Sequence, residues 1–163
     1  MLCRNHGAQL CYTPMLHSKI FYEDATYRKT YFSTCKEERP VFAQFCGNDP
    51  VILLNAAKLV ADKVDAVDIN LGCPQRIAKK GYYGAYLMEN PKLIYSLVKK
   101  LHDELPIPVT CKIRIFKDVE QTVAYAKMLE EAGCQILTVH GRLRDQRGVN
   151  VGLADWDSIK RVK

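Results

Sequence analysis

Short apolar runs alternate along the chain with stretches whose apolar residues recur at helical spacing, and this alternation constrains the fold more than any other feature. Residues 8–15 read as the first strand, after a short helical tail closed by Gly7. A helix over 18–32 follows, then a strand over 40–46 that ends at Gly47. Asp49 and Pro50 supply the N-cap and first position of a helix with Ile52, Ala56, Leu59 and Val60 on one face. The next strand begins at Val64, and its Val64, Val67, Ile69 and Leu71 suit burial on both faces. A basic, glycine-bearing loop covers 75–84. Asn90-Pro91 then caps a helix whose Leu93, Ile94, Leu97, Val98 and Leu101 repeat at helical spacing, and Pro106 and Pro108 end that unit. Residues 109–115 form a strand, Asp118 with Gln121 makes a capping-box start for a helix to Ala132, and Gly133 stops it. A fifth strand over 136–140 follows, and from Leu153 one more helix begins, its pattern still running at Lys163.

Strands alternating with helices at this spacing imply a parallel sheet. Gln44, Asn70, Cys73, Lys112, Arg114, His140 and Arg142 all fall at or just past the carboxyl end of an apolar strand. That end carries the active sites of (β/α)8 barrels, and it also binds ligands in open doubly wound sheets. No glycine-rich phosphate-binding pattern follows the first strand, which disfavours a nucleotide-binding open sheet. The expected fold is therefore α/β, a (β/α)8 TIM barrel of which about five strands are legible.

The run Asp68-Ile-Asn-Leu-Gly-Cys-Pro74 places a thiol on a turn, with Gly72 before it and Pro74 after it, where the strand runs out. A Cys on such a turn is held yet reachable, and since bulk Cys titrates near ~8.5 and is mostly protonated at neutral pH, a thiol can serve as a proton donor as well as a nucleophile. A small Cys that merely fills space is the plain alternative. The seven cysteines (3, 11, 35, 46, 73, 111 and 134) are odd in number and scattered, with no CxxC pair, so neither a disulfide framework nor a zinc site is suggested. A net charge of +6 favours an acidic partner such as nucleic acid. No apolar run approaches a membrane span and the start lacks a signal-peptide core, so the chain is expected in the cytoplasm or the nucleus, without a membrane.

Four stretches carry a resemblance: Asp68 to Pro74, Gln44 in Ala-Gln-Phe-Cys-Gly, Lys112 in Cys-Lys-Ile-Arg, and His140 in Thr-Val-His-Gly-Arg. Together and in this order they resemble the tRNA-dihydrouridine synthase family, most of all its eukaryotic D-loop-modifying branch. The resemblance implies an FMN-binding barrel followed by a helical tRNA-binding domain, with NADPH-dependent reduction of a tRNA uridine to dihydrouridine. It further implies that Cys73 protonates C5 of the uracil, that Asn70 bonds the uracil or orients the thiol turn, and that Gln44, Lys112 and His140 lie against the flavin. A cation at Lys112 would stabilise a reduced, anionic flavin.

Arg114 and Arg142, with Arg144 and Arg147 and with Arg76, Lys79 and Lys80 after the thiol, could line a tRNA path or simply solubilise the surface. Tyr82, Tyr83 and Tyr86 could stack on bases or pack. Thr13-Pro14-Met15 imitates the family's flavin-contacting Pro-Met pair but belongs to the second strand by this resemblance. The family's first strand, its last two strands and its helical domain are expected outside residues 1–163. Two other readings stay open: a dihydroorotate-dehydrogenase-like flavin oxidoreductase, and an inactive partial barrel that binds RNA weakly.

Overall fold

The computed structural model describes residues 2–163. The chain runs α1 (Leu2–Asn5), β1 (Cys11–Tyr12), β2 (Leu16–His17), α2 (Ser18–Glu23), α3 (Ala25–Tyr31), β3 (Val41–Cys46), α4 (Pro50–Lys58) and β4 (Ala66–Leu71). It continues through α5 (Arg76–Gly81), α6 (Pro91–Glu104), β5 (Val109–Ile115), α7 (Val119–Glu131), β6 (Ile136–Leu143) and α8 (Trp156–Val162).

All strands are parallel, and both β1 and β2 pair with β3, which is followed across the sheet by β4, β5 and β6. The order in space is thus the order in sequence. This decides between the two parallel architectures. A doubly wound sheet reverses its strand order at a switch point and so covers both faces with helices. An unreversed order with right-handed crossovers puts every helix on one face and leaves the other as the lining of a barrel. The sheet is therefore a curled arc of a (β/α)8 barrel, as the sequence predicts.

Burial follows from that arrangement. Val67, Ile69 and Leu71 point into the helix layer, as do Ala43 and Phe45 of β3 and Val109, Cys111 and Ile113 of β5, and they form the main core with Leu53, Ile94, Leu97, Leu101 and Leu129. The alternate residues of the same strands, including Asp68 and Asn70, face the barrel interior. The strand is buried on both faces as expected, Asp68 included, with one face apolar core and the other polar.

Local signals explain most element ends. Asp49 accepts from the Val51 and Ile52 N–H groups with Pro50 at the first position of α4, and Asn90 accepts from Leu93 N at the start of α6. Asp118 caps α7 through Glu120 N, and Gly133, at φ +104, stops it. Five elements differ from expectation. The first strand is broken at Thr13-Pro14, where the Thr13 hydroxyl replaces a ladder partner by accepting from Gln44 N at 3.0 Å. The helix expected over 18–32 is two helices, because Asp24 accepts from Thr26 N and Tyr27 N and so starts a second one. The loop expected over 75–84 contains α5, and a 3₁₀ turn follows at Gly84–Glu89, with Ala78 and Tyr83 buried against Cys46. Strand β6 continues to Leu143, and α8 begins only at Trp156, where Asp155 caps it.

Candidate active site

The ladder register assembles the site. Gln44 lies beside Asp68 and Asp68 beside Thr110; Asn70 lies beside Lys112 and Lys112 beside Thr138; Arg114 lies beside His140. Residues paired across a parallel ladder share a face, as do residues two apart along a strand. Gln44, Asp68, Asn70, Thr110, Lys112, Arg114 and His140 therefore all project from the interior face. These positions lie within their strands, nearest the carboxyl ends for Asn70 and Arg114, rather than beyond them.

Cys73 sits just past β4 on a turn whose backbone groups are taken up by four other segments. Asn70 Oδ1 accepts from Gly72 N at 3.2 Å and from Cys73 N at 2.9 Å. Arg114 Nε donates to the Gly72 carbonyl at 2.9 Å, and Ala85 N donates to the Cys73 carbonyl at 3.0 Å. The Pro74 carbonyl accepts from the Tyr86 hydroxyl at 3.0 Å and from Arg147. None of these bonds uses the sulfur, so the turn is held through its backbone and the partly exposed thiol is left for chemistry. The neighbouring thiol of Cys46 differs: burial pushes it up to about 12, and Cys73 beside it adds to the push. It therefore stays protonated near neutral pH.

Gly84 closes the turn from below. Its φ is +62, and a Cβ there would meet the Cys73 carbonyl oxygen at 2.7 Å and Cys73 Cβ at 3.0 Å. Gly84→Ala is expected to cost about 1–3 kcal/mol, from the left-handed backbone and the clash together, and to displace Cys73. Urea unfolding measures the first effect, and the alkylation rate of Cys73 measures the second.

Electrostatics separate the interior groups. Burial raises the Asp68 carboxyl above its ordinary value, opposed by the hydrogen bonds from Thr110 and Gln44 and by the charge of Lys112. Burial lowers Lys112, with Asp68 opposing and Arg114 reinforcing. His140 is lowered by burial first and then by Arg114, Lys112 and Arg142. Arg142 Nη1 donates to His140 Nε2 at 3.0 Å, so the neutral ring carries its proton on Nδ1.

The structure thus brings Gln44, Asn70, Lys112 and His140 onto one face, with Cys73 above them. It treats the arginines differently. Arg114 is 7% exposed and also donates through Nη1 to the Leu143 and Gln146 carbonyls, at 2.8 and 3.1 Å, in addition to its bond to Gly72. Arg142 holds His140 and the Gly152 carbonyl. Arg144 pairs with Glu89 and lies over the Tyr86 ring, and Arg147 reaches Pro74 and Tyr86. Arg114, Arg144 and Arg147 thus tie the thiol turn, the 84–89 turn and the 143–147 loop together, whereas Arg76, Lys79 and Lys80 on α5 are exposed. Tyr83 is buried and Tyr86 is held by its hydroxyl, so both are packed. Sequence reasoning gave no role to Asp68, Thr110 or Gly84. The signal available for Asp68 was a carboxylate in the middle of a strand whose only other polar residue is Asn70.

The donor set suits an acceptor-rich heterocycle. Gln44 and Asn70 each keep one side-chain N–H beyond the bonds described, and Lys112 adds an ammonium beside them. Among the described residues no cluster of His, Cys, Asp and Glu could hold a metal, and no helix is long and apolar enough to cross a membrane.

The fold and site together are an arc of a parallel α/β barrel with amide and ammonium donors on its interior face and a thiol on the turn that follows β4. The chain belongs to the dihydrouridine synthase (Dus) family, whose profile matches residues 1–163. It is 58% identical, over its whole length and 41% of the relative's, to tRNA-dihydrouridine(16/17) synthase of Schizosaccharomyces pombe. The protein of the same name from Saccharomyces cerevisiae is 55% identical over 100% of this chain and 39% of its own length. A mouse protein described as tRNA-dihydrouridine(16/17) synthase-like is 54% identical over 100% of this chain and 35% of its own. The chain therefore spans 35% to 41% of the length of these relatives.

Proposed function

We propose that this chain forms the thiol-bearing part of the catalytic barrel of a tRNA-dihydrouridine synthase that reduces D-loop uridines, at positions 16 and 17, with NAD(P)H as reductant and FMN as the bound carrier. The observation that carries the reading is the Cys73 turn, fixed by its backbone above a donor-lined sheet face. The names and identities of the relatives support it.

Gln44 and Lys112 would hold FMN by donating to its ring edge, with neutral His140 beside them. Bound there and reduced by NAD(P)H, FMN would supply hydride chemistry toward C6 of the uracil. The chain's own task is then to orient the base and deliver one proton. Asn70 offers its free N–H to a uracil carbonyl, and Cys73 gives its proton to C5, the carbon left electron-rich by hydride addition. The thiolate is re-protonated from solvent, and the balance is two hydrogens gained by uridine and NAD(P)H oxidised. Arg142 orients His140, and Arg114 clamps the turn, a role supported by its bonds to the Gly72, Leu143 and Gln146 carbonyls.

The test is to incubate the protein with its flanking sequence, FMN, NADPH and unmodified tRNA, and to look by mass spectrometry for two added hydrogens at D-loop uridines. Turnover without tRNA reduction, or reduction of free dihydroorotate's oxidised partner instead, overturns the reading.

The tRNA path is expected along α5. Removing the charges of Arg76, Lys79 and Lys80 together should lower the slope of log affinity against log salt by roughly 2, since each phosphate contact with single-stranded RNA contributes about 0.7. Filter binding over a salt series measures this, and an unchanged slope assigns the three residues to solvation.

A further inference from the structure

We propose that Asp68 is the positioning residue of the thiol turn: through Gln44 it holds the Asn70 amide in the one orientation in which its carbonyl faces the Gly72 and Cys73 N–H groups. The inference deepens the function proposed above and rests on it only for what the thiol does.

Asp68 is fully buried, at 0% exposure, so it touches no substrate. Its Oδ1 accepts from the Thr110 hydroxyl at 2.6 Å, and its Oδ2 accepts from Gln44 Nε2 at 2.8 Å. Gln44 Oε1 in turn accepts from Asn70 Nδ2 at 2.9 Å. Asn70 Oδ1 then accepts from Gly72 N and Cys73 N, at 3.2 and 2.9 Å. The row runs from a buried carboxyl to the amide of the reactive residue, and every link points the same way.

Both ends set that direction. The backbone N–H groups at one end can only donate, and the carboxyl oxygen facing Gln44 at the other can only accept. Turning either amide side chain over would place N–H against N–H or oxygen against oxygen. The row also survives the upward push on the Asp68 carboxyl. A proton taken up on Oδ1 bonds to the Thr110 oxygen, while Oδ2 goes on accepting from Gln44. The role is one of polarity rather than charge. An Asn at position 68 preserves it, with its carbonyl toward Gln44 and its NH2 toward Thr110. A Leu keeps the size, removes the acceptor and frees Gln44 to turn.

Amide hydrogen exchange of the chain, followed residue by residue by NMR in Asp68→Asn, Asp68→Leu and Gln44→Leu, tests the inference without any assay of activity. Asp68→Leu should speed exchange at Cys73 by about tenfold, and Gln44→Leu should do the same by cutting the row at its middle. Asp68→Asn should stay within about twofold of the parent. The amides of Ile69 and Ile113, in the strands themselves, should keep their protection in all three. Unchanged protection at Cys73 in Asp68→Leu overturns the proposal. So does loosening in Asp68→Asn equal to that in Asp68→Leu, which would make charge the cause, or equal loosening at Ile69 and Ile113, which would make Asp68 a residue of general stability. If Asp68→Leu does not fold, Gln44→Leu decides alone, because it keeps Asp68 with Thr110; full protection at Cys73 in that variant overturns the proposal. Failure of the function proposed above leaves every one of these exchange outcomes as stated, so the two fail separately.

Discussion

Cys73→Ala, placed in the protein with its flanking sequence, is expected to lower dihydrouridine formation by about 10²–10⁴-fold, the usual range for loss of a positioned proton donor, while flavin reduction by NADPH continues. The two steps separate because reduction of the carrier needs no acid on the uracil side. The geometry makes the substitution a clean one. Every bond that holds the turn runs through the backbone of Gly72, Cys73 and Pro74, so removing the sulfur leaves the turn in place. The neighbouring Cys46 thiol is a poor stand-in, being buried and pushed up to about 12. Stopped-flow reduction of the flavin and nucleoside mass spectrometry of the tRNA measure the two halves. Parent-level dihydrouridine from the alanine variant would remove Cys73 from the mechanism, and loss of both halves would make it a residue of cofactor binding.

Local chemistry made much of the fold legible. Strand β5 was read at its observed bounds because Val109, Cys111, Ile113 and Ile115 alternate with polar residues, and α4 and α6 were read from Asp-Pro and Asn-Pro pairs that cap a helix wherever they stand. What was missed is decided at a distance. The break at Thr13-Pro14 depends on Gln44 of the next strand, and α5 exists because Ala78 finds a place under Cys46. The same division runs through the candidate site. The interior positions of Gln44, Asn70, Lys112 and His140 follow from strand periodicity. Asp68 stayed without a role because its partners Thr110 and Gln44 lie 42 and 24 positions away. A guanidinium can reach in any direction from its Cα, so the sequence left Arg114 open between a tRNA path and a solubilising surface, and only the fold shows its bonds to three carbonyls.

Arg114→Met should therefore act on structure more than on substrate affinity. The methionine keeps the apolar stem and removes the donors to Gly72, Leu143 and Gln146 together. Each unpartnered carbonyl costs about 1–3 kcal/mol if it stays dry, and rehydration at the rim reduces the sum, so the expected loss is about 2–5 kcal/mol in urea unfolding. Arg114→Lys should recover only part of this, because one ammonium cannot span three acceptors that a planar fork reaches. The clamp also joins the thiol turn to the 143–147 loop, so limited proteolysis should cut that loop faster in the methionine variant. A second readout is independent of stability. Arg114 is one of the cations that lower His140 and Lys112, and its removal should raise the titration of His140 toward the ordinary value of 6.5. The sign follows from removing a positive charge near a group that gains one on protonation. An Arg114→Met protein as stable as the parent, with His140 titrating where it did before, would show that the guanidinium clamps nothing and would return Arg114 to the substrate side of the site.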